Sequence, residues 1–193
     1  MTDTLPSRPR DTREIDDVTL ARAQRGEAAA WRVLVEHYQR PVFALLSRML
    51  SPGGRAQLVE DLAQETFLRV FRALPAFDAG GRARLSTWIL TIATRLCIDE
   101  LRRTAGRTEP LERAREVAAP ARSDARVEAR AIARAIAELA PEYRAAFLLR
   151  ELHELEYDEI GRALGIDLGT VKSRLSRARA ALREALAEVS DDI

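Results

Sequence analysis

Apolar residues recur at three- and four-residue steps through most of this 193-residue chain, a period that confines it to helices. Val59, Leu62, Ala63, Thr66, Val70 and Leu74 form one stripe, and Ile89, Ile92, Ala93 and Leu96 a second. Ala145, Leu148, Leu149 and Leu152 form a third. Aromatics make up only 5% of the chain, and β-branched runs able to build a sheet are few. Hydrophobic content of 47% suffices for packed cores, so the body is not intrinsically disordered. The fold expected is all-α.

Turn-forming residues divide the chain into two small helical domains. Residues 1–16 carry Pro6, Pro9 and scattered charge with no apolar period, the pattern of a flexible tail. A helical block spans residues 17–104, punctuated by Pro41, by Ser51-Pro52-Gly53-Gly54 and by the stretch from Pro75 to Gly81. Ser86 is placed as the N-cap of its last helix. Gly106, Pro110 and Pro120 amid charges mark residues 105–126 as a flexible linker, long enough to span tens of Å. The second block, residues 127–193, has Pro141 in a first helical turn and a frayed end.

The segment from Leu155 to Arg179 reads as a helix, a tight turn at Gly165 and a second, basic helix: the layout of a DNA-binding helix-turn-helix. Ile160 and Leu164 face inward on the first helix, and Gly165 permits the positive φ of the turn. Val171, Leu175, Ala178 and Leu182 line the inner face of the second helix. Its outer face then presents Lys172, Ser173, Ser176 and Arg177, with Arg174 and Arg179 on the flanks. Arg and Lys reach guanine O6/N7 or phosphate, and Ser suits phosphate or either base edge. A solvated basic face is the plain alternative, but the turn glycine, apolar spacing and basic face coincide.

The net charge of +1 hides segregation. Five basic and no acidic residues lie between Leu168 and Arg183, whereas five acidic residues and no Lys or Arg lie between Glu151 and Glu159. Local fields therefore govern which partner approaches which face, and the acidic stretch should point away from DNA. Cys97 is the sole cysteine, so no intramolecular disulfide and no zinc cluster is expected, only a buried thiol. No segment approaches the roughly 20 apolar residues of a membrane span, and no signal core is present, so a cytoplasmic protein is expected. His37 and His153 lie in different blocks, and no Gly-rich phosphate loop or nucleophile elbow appears. We therefore expect no catalysis, cofactor or metal.

A second signature lies upstream: Asp61-Leu-Ala-Gln-Glu-Thr-Phe-Leu-Arg-Val-Phe71, followed by the stretch from Phe77 through Arg82, Arg84 and Trp88 to Ile89. It resembles region 2 of bacterial sigma factors, specifically the small extracytoplasmic-function (ECF) class. The segment from Gly169 to Arg179 is similar to region 4 of that class, and Ala23 to Trp31 fits the start of the first domain. The resemblance implies a factor that binds core RNA polymerase, directs it to promoters and helps open the DNA.

It implies further that Asp61, Gln64, Glu65, Phe67 and Arg69 dock on the clamp helices of the polymerase β′ subunit, and that region 4 meets the β flap. On a helix Asp61, Gln64 and Glu65 share a face, offering acceptors to a basic partner. At the −10 element, read as melted single strand, Arg82 and Arg84 in the loop from Asp78 to Leu85 would supply pocket and charge, and Thr87, Trp88 and Arg95 would meet the adjacent duplex. For Trp88 core packing remains an equal alternative, and Arg102 and Arg103 either track phosphates or favour their helix end. Thr170, Lys172, Ser173, Arg174, Ser176, Arg177 and Arg179 would read the −35 element. The chain departs from the family at Thr91 and Arg95, where Arg and Asn are usual. Restraint by an anti-sigma factor is also implied. An ordinary helix-turn-helix regulator and a sequestering adaptor are the alternatives, and the first lacks a reason for the Asp61 to Phe67 signature.

Overall fold

The structure, a computed structural model, describes residues 14–50, 56–81, 83–105 and 124–191. Eight α-helices are described: α1 (Asp17–Gln24), α2 (Ala28–Leu50), α3 (Ala56–Ala73), α4 (Leu85–Ala105), α5 (Asp124–Glu138), α6 (Pro141–Glu151), α7 (Tyr157–Leu164) and α8 (Leu168–Asp191). A 3₁₀ turn (Leu74–Ala76) follows α3. Among the described residues there is no strand, as the helical period requires.

In the first half, α2 is the central helix and packs against α1, α3 and α4. Pro41 does not break it, contrary to the punctuation expected from sequence, and the helix runs for 23 residues. A proline inside a helix costs roughly 3 kcal/mol or more. Leu34, Tyr38, Val42, Leu45, Leu46 and Met49 are all buried along this helix, each large apolar side chain contributing about 1.5–3 kcal/mol. Packing outweighs the local penalty. The expected turn at Ser51 to Gly54 lies outside the described residues. In α3, Val59, Leu62, Ala63, Thr66 and Val70 are buried, and the Thr66 hydroxyl donates to the Leu62 carbonyl at 2.7 Å. In α4, Ile89, Ala93, Leu96 and Cys97 are buried, so the thiol sits in the core as expected.

Ser86 is not an N-cap, because α4 already begins at Leu85. Its N–H and hydroxyl donate instead to the Glu14 carboxylate, which also accepts from the Tyr38 hydroxyl at 3.2 Å. Glu14, assigned to the tail by its sequence context, is thus tied to α2 and α4. The other residues of that tail, 1–13, lie outside the described residues, as does most of the expected linker.

In the second half, Ala140 caps α6 and Pro141 occupies its first turn, as expected. Gly165 ends α7 at φ 68°, a conformation that L side chains rarely adopt. Gly161 answers a different need: a Cβ there would lie 2.9 Å from the Ile166 carbonyl oxygen, so the turn closes only over a bare backbone. Val171, Leu175, Ala178 and Leu182 are buried, and α8 packs on α5, α6 and α7.

The two halves share one apolar core. Buried residues of α2, α3 and α4 lie in the same cluster as those of α6, α7 and α8. Across the junction α4 packs on α6 and α7, and α2 packs on α5 and α6.

Candidate polymerase and nucleic-acid interfaces

Three faces carry the residues singled out from sequence. The first is on α3. Asp61 and Gln64 are exposed and Glu65 half-buried, all on one side of the helix. Gln57 donates to Asp61 at 3.0 Å, and Arg69 pairs with Glu65 at 2.7 Å, so the acidic face is partly neutralised from within its own helix. Phe67 is half-buried and packs against the core, which makes it a support for this face.

Sequence reasoning missed the apolar part of the same face. Leu68 and Phe71 are each 50% exposed, and the Trp31 ring packs edge-on against Phe71 at 5.0 Å. Leu68 and Phe71 follow Asp61 and Gln64 by seven residues, two helical turns, and that spacing was the available signal. An exposed aromatic and aliphatic pair beside acceptors is the composition that protein-binding surfaces favour.

The second face is on α8. Lys172, Ser173, Ser176, Arg177 and Arg179 are exposed and Arg174 is half-buried, matching the expected division of the helix. Asp167 caps α8, accepting from the Thr170 N–H at 2.9 Å and its hydroxyl at 2.6 Å. Those bonds hold the Asp167 carboxyl below the usual carboxylate range, and they engage Thr170 in shaping the helix start. Arg177 donates to the Tyr143 hydroxyl at 3.0 Å, and Arg179 pairs with Glu151 at 2.8 Å. Both lean on α6, but exposed pairs of this kind are worth about 0–1 kcal/mol, so exchange for phosphate or base is cheap.

The third face is the outer side of α4. Arg82 lies outside the described residues. Arg84, Thr87, Thr91 and Arg95 follow one another at helical spacing and share a face. Thr87 is buried, and its hydroxyl donates to Glu159 at 3.0 Å; the Arg84 Nε lies 3.9 Å from the same carboxylate oxygen. Arg95 donates to the carbonyls of Ala163, at 3.0 Å, and Arg162, at 3.2 Å. Trp88 is half-buried, tilted against Phe77 at 5.0 Å. Arg102 pairs with Glu142 of α6 at 3.0 Å, and Arg103 with Glu100 at 2.6 Å, so each has a protein partner.

The acidic stretch before the helix-turn-helix does not simply face away into solvent. Glu159 is only 7% exposed. One of its oxygens meets Thr87, and the other accepts from the Glu156 N–H at 2.9 Å.

Comparison with known proteins gives a consistent pattern. The family model for sigma-70 region 2 matches residues 34–107, and that for sigma-70 region 4 matches residues 129–182. The chain is 34% identical over 178 residues to the ECF RNA polymerase sigma factor SigE of Mycolicibacterium smegmatis, covering 86% of this chain and 66% of that protein. It is 33% identical over 185 residues to the ECF RNA polymerase sigma factor SigW of Bacillus subtilis, covering 88% and 96% respectively. Its fold is similar to that of CnrH, solved in complex with the cytosolic domain of CnrY, with a TM-score of 0.67 at 23% identity over 92% of this chain and 99% of that one. RpoE of Bartonella quintana, solved with the anti-sigma factor NepR, gives a TM-score of 0.65 at 23% identity, covering 81% and 96%.

Proposed function

This chain belongs to the ECF class of the sigma-70 family, and from that premise we propose how its faces divide the work. The α3 face, with Asp61, Gln64, Glu65 and Arg69 supported by Phe67, docks on the β′ clamp helices of core RNA polymerase. Leu68 and Phe71 supply apolar burial at the same contact. The α8 face enters the major groove of the −35 element, where Lys172, Arg174, Arg177 and Arg179 reach base edges and phosphates while Ser173 and Ser176 fit close to the backbone. Thr170 fixes the start of that helix.

At the −10 element Arg84, with Arg82 two residues earlier, holds the melted strand, while Thr87 and Arg95 of α4 meet the adjacent duplex and Trp88 offers a ring face. The chain acts in the cytoplasm and directs another enzyme's chemistry, having none of its own. No helix among the described residues is long and apolar enough to cross a membrane. Restraint comes from an anti-sigma factor, the kind of partner with which the Bartonella relative was solved.

The observation that supports this reading best is the pairing of two unlike faces on one chain: an acidic and apolar α3, and an α8 whose exposed side is basic. Run-off transcription by core polymerase on a promoter library, with and without this chain, tests it. Start sites that appear only when the chain is present are expected. A duplex-binding protein that leaves start sites unchanged would instead be an ordinary regulator.

A further inference from the structure

The connection between the 3₁₀ turn and α4 carries Arg84, and it is held at both ends by one neighbour: α1 with the residues just before it. At the entry, the side-chain amide of Gln24, the last residue of α1, donates to the carbonyls of Leu74, at 3.1 Å, and Phe77, at 2.7 Å. Carbonyls at a helix end lack intrahelical partners, and a side-chain amide is a donor suited to them. At the exit, the Glu14 carboxylate accepts from the Ser86 N–H at 3.2 Å and from the Ser86 hydroxyl. Arg84 holds the position before α4, and a guanidinium has no acceptor with which to cap a helix. Glu14 supplies that cap from 72 residues away in the chain, with its charge at the positive end of the helix dipole. The neighbour is itself anchored. Asp16 caps α1 through the Thr19 N–H at 2.9 Å, Leu20 and Ala23 are buried, and the Tyr38 hydroxyl ties Glu14 and Ile15 to α2.

We propose that this N-terminal element is a brace for −10 reading: Gln24 fixes the backbone where it leaves the 3₁₀ turn and Glu14 fixes it where it enters α4, so both ends of the connection hold one geometry before DNA arrives. Both are positioning residues, and neither touches DNA. The inference rests on the reading of Arg84 as a contact to the melted strand. Two further features fit a preset geometry. Asp78 closes a turn, its carbonyl accepting from the Gly81 N–H at 3.1 Å and its carboxylate from the Gly80 N–H at 3.0 Å. The rings of Phe77 and Trp88 meet at 5.0 Å, joining the residue that Gln24 holds to the helix that Glu14 caps.

A segment ordered in advance loses less conformational freedom on binding, and it presents Arg84 to one register of the strand. Loss of the brace therefore lowers base discrimination at the −10 strand. It leaves the α3 and α8 faces as they are, since the hydrogen bonds of Gln24 and Glu14 go to neither.

Amide hydrogen exchange on the full-length chain reads the brace directly. Glu14→Ala should speed exchange of the Ser86 amide, and Gln24→Met, which keeps the length but has no donor, that of the Phe77 amide, each by about tenfold or more. Glu14→Gln keeps an acceptor for the Ser86 N–H and should stay near native. Reading is measured on holoenzyme reconstituted from core polymerase and each chain. The probe is a pool of randomised single-stranded oligonucleotides of about 12 nucleotides, within the usual site range for such surfaces, and the bound strands are sequenced. Glu14→Ala and Gln24→Met should lower enrichment of the preferred base at the strongest position by about three- to ten-fold, the size expected of one net hydrogen bond. Affinity for core enzyme should be unchanged. Glu14→Gln should enrich as the native chain does, a rescue that follows from the acceptor at this position. Unaltered exchange in both Glu14→Ala and Gln24→Met would overturn the brace, whatever the connection reads. Faster exchange with native enrichment would overturn it too, as would an equal loss of core binding. Arg84→Ala isolates the premise: native enrichment in that variant removes the −10 reading of Arg84, whereas the exchange measurement still decides whether Gln24 and Glu14 order the backbone on either side of it.

Discussion

The Arg144 guanidinium, on α6, donates to the carbonyl oxygen of Met49, near the end of α2, at 2.6 Å. The same group donates to the carbonyls of Leu139, at 2.9 Å, and Ala137, so one buried side chain closes the end of α5 and ties it to the other half of the molecule. Burial depresses its pKa, as it does for any cation withdrawn from water. Three backbone acceptors from two halves therefore depend on one arginine.

Arg144→Met fills much of the volume but leaves those carbonyls without their donor. Unsatisfied buried acceptors cost about 1–3 kcal/mol each in full, and partial rehydration lowers the sum. We expect a loss of about 2–4 kcal/mol in urea denaturation, with lower contact between the halves. A variant as stable as the native chain would show that water replaces the guanidinium freely.

On α8, Lys172→Ala and Arg177→Ala should each weaken binding to promoter duplex by about five- to fifty-fold, within the range of about 1–3 kcal/mol for a specific base contact. Stability should hardly change, because both residues are exposed and the Arg177 hydroxyl contact is worth little. Fluorescence anisotropy on −35 duplex, with core binding measured in parallel, separates the two functions; joint loss of both would contradict the division between α8 and α3.

On α3, Leu68→Asp should weaken core polymerase binding at least as strongly as Asp61→Ala, since it places an unpaired charge in the middle of an apolar contact. Leu68 is exposed, so the melting temperature should stay within a few degrees of native. Unaltered polymerase affinity in Leu68→Asp would remove the apolar half of the docking face.

Gly161→Ala should destabilise the second half by about 1–3 kcal/mol, because its new methyl must displace the Ile166 carbonyl that closes the turn. Duplex affinity should fall with it, as α8 loses its fixed angle to α7. Circular dichroism melting and the same anisotropy assay check this; a fully native variant would mean that the turn can shift without cost.

Local chemistry was legible in the sequence, and long-range pairing was not. The stripe from Val59 to Leu74 and the inner face of α8 follow from helical period alone. Gly165 and Pro141 declare their backbone geometry by residue type. Pro41 misleads because its penalty is local, whereas the burial that overrides it comes from the helices packed around α2. Thr87 and Glu159 are 72 residues apart, and no short-range pattern marks which of many carboxylates a threonine will meet. Glu14 is the same case: its partners Tyr38 and Ser86 lie 24 and 72 residues away. Leu68 and Phe71 went unnoticed because an apolar residue in a helix is read first as core, and only the packed structure shows them to be left outside.

The central claim is that the α3 face attaches this chain to core RNA polymerase. Sedimentation of purified native chain with core enzyme, compared with the Asp61→Ala/Gln64→Ala double variant, tests it most directly. A stable complex with the native chain is expected, together with at least a tenfold loss of affinity in a double variant that still melts cooperatively, a change of about 1.4 kcal/mol or more. Failure of the native chain to bind core enzyme, or equal binding by the double variant, would contradict it.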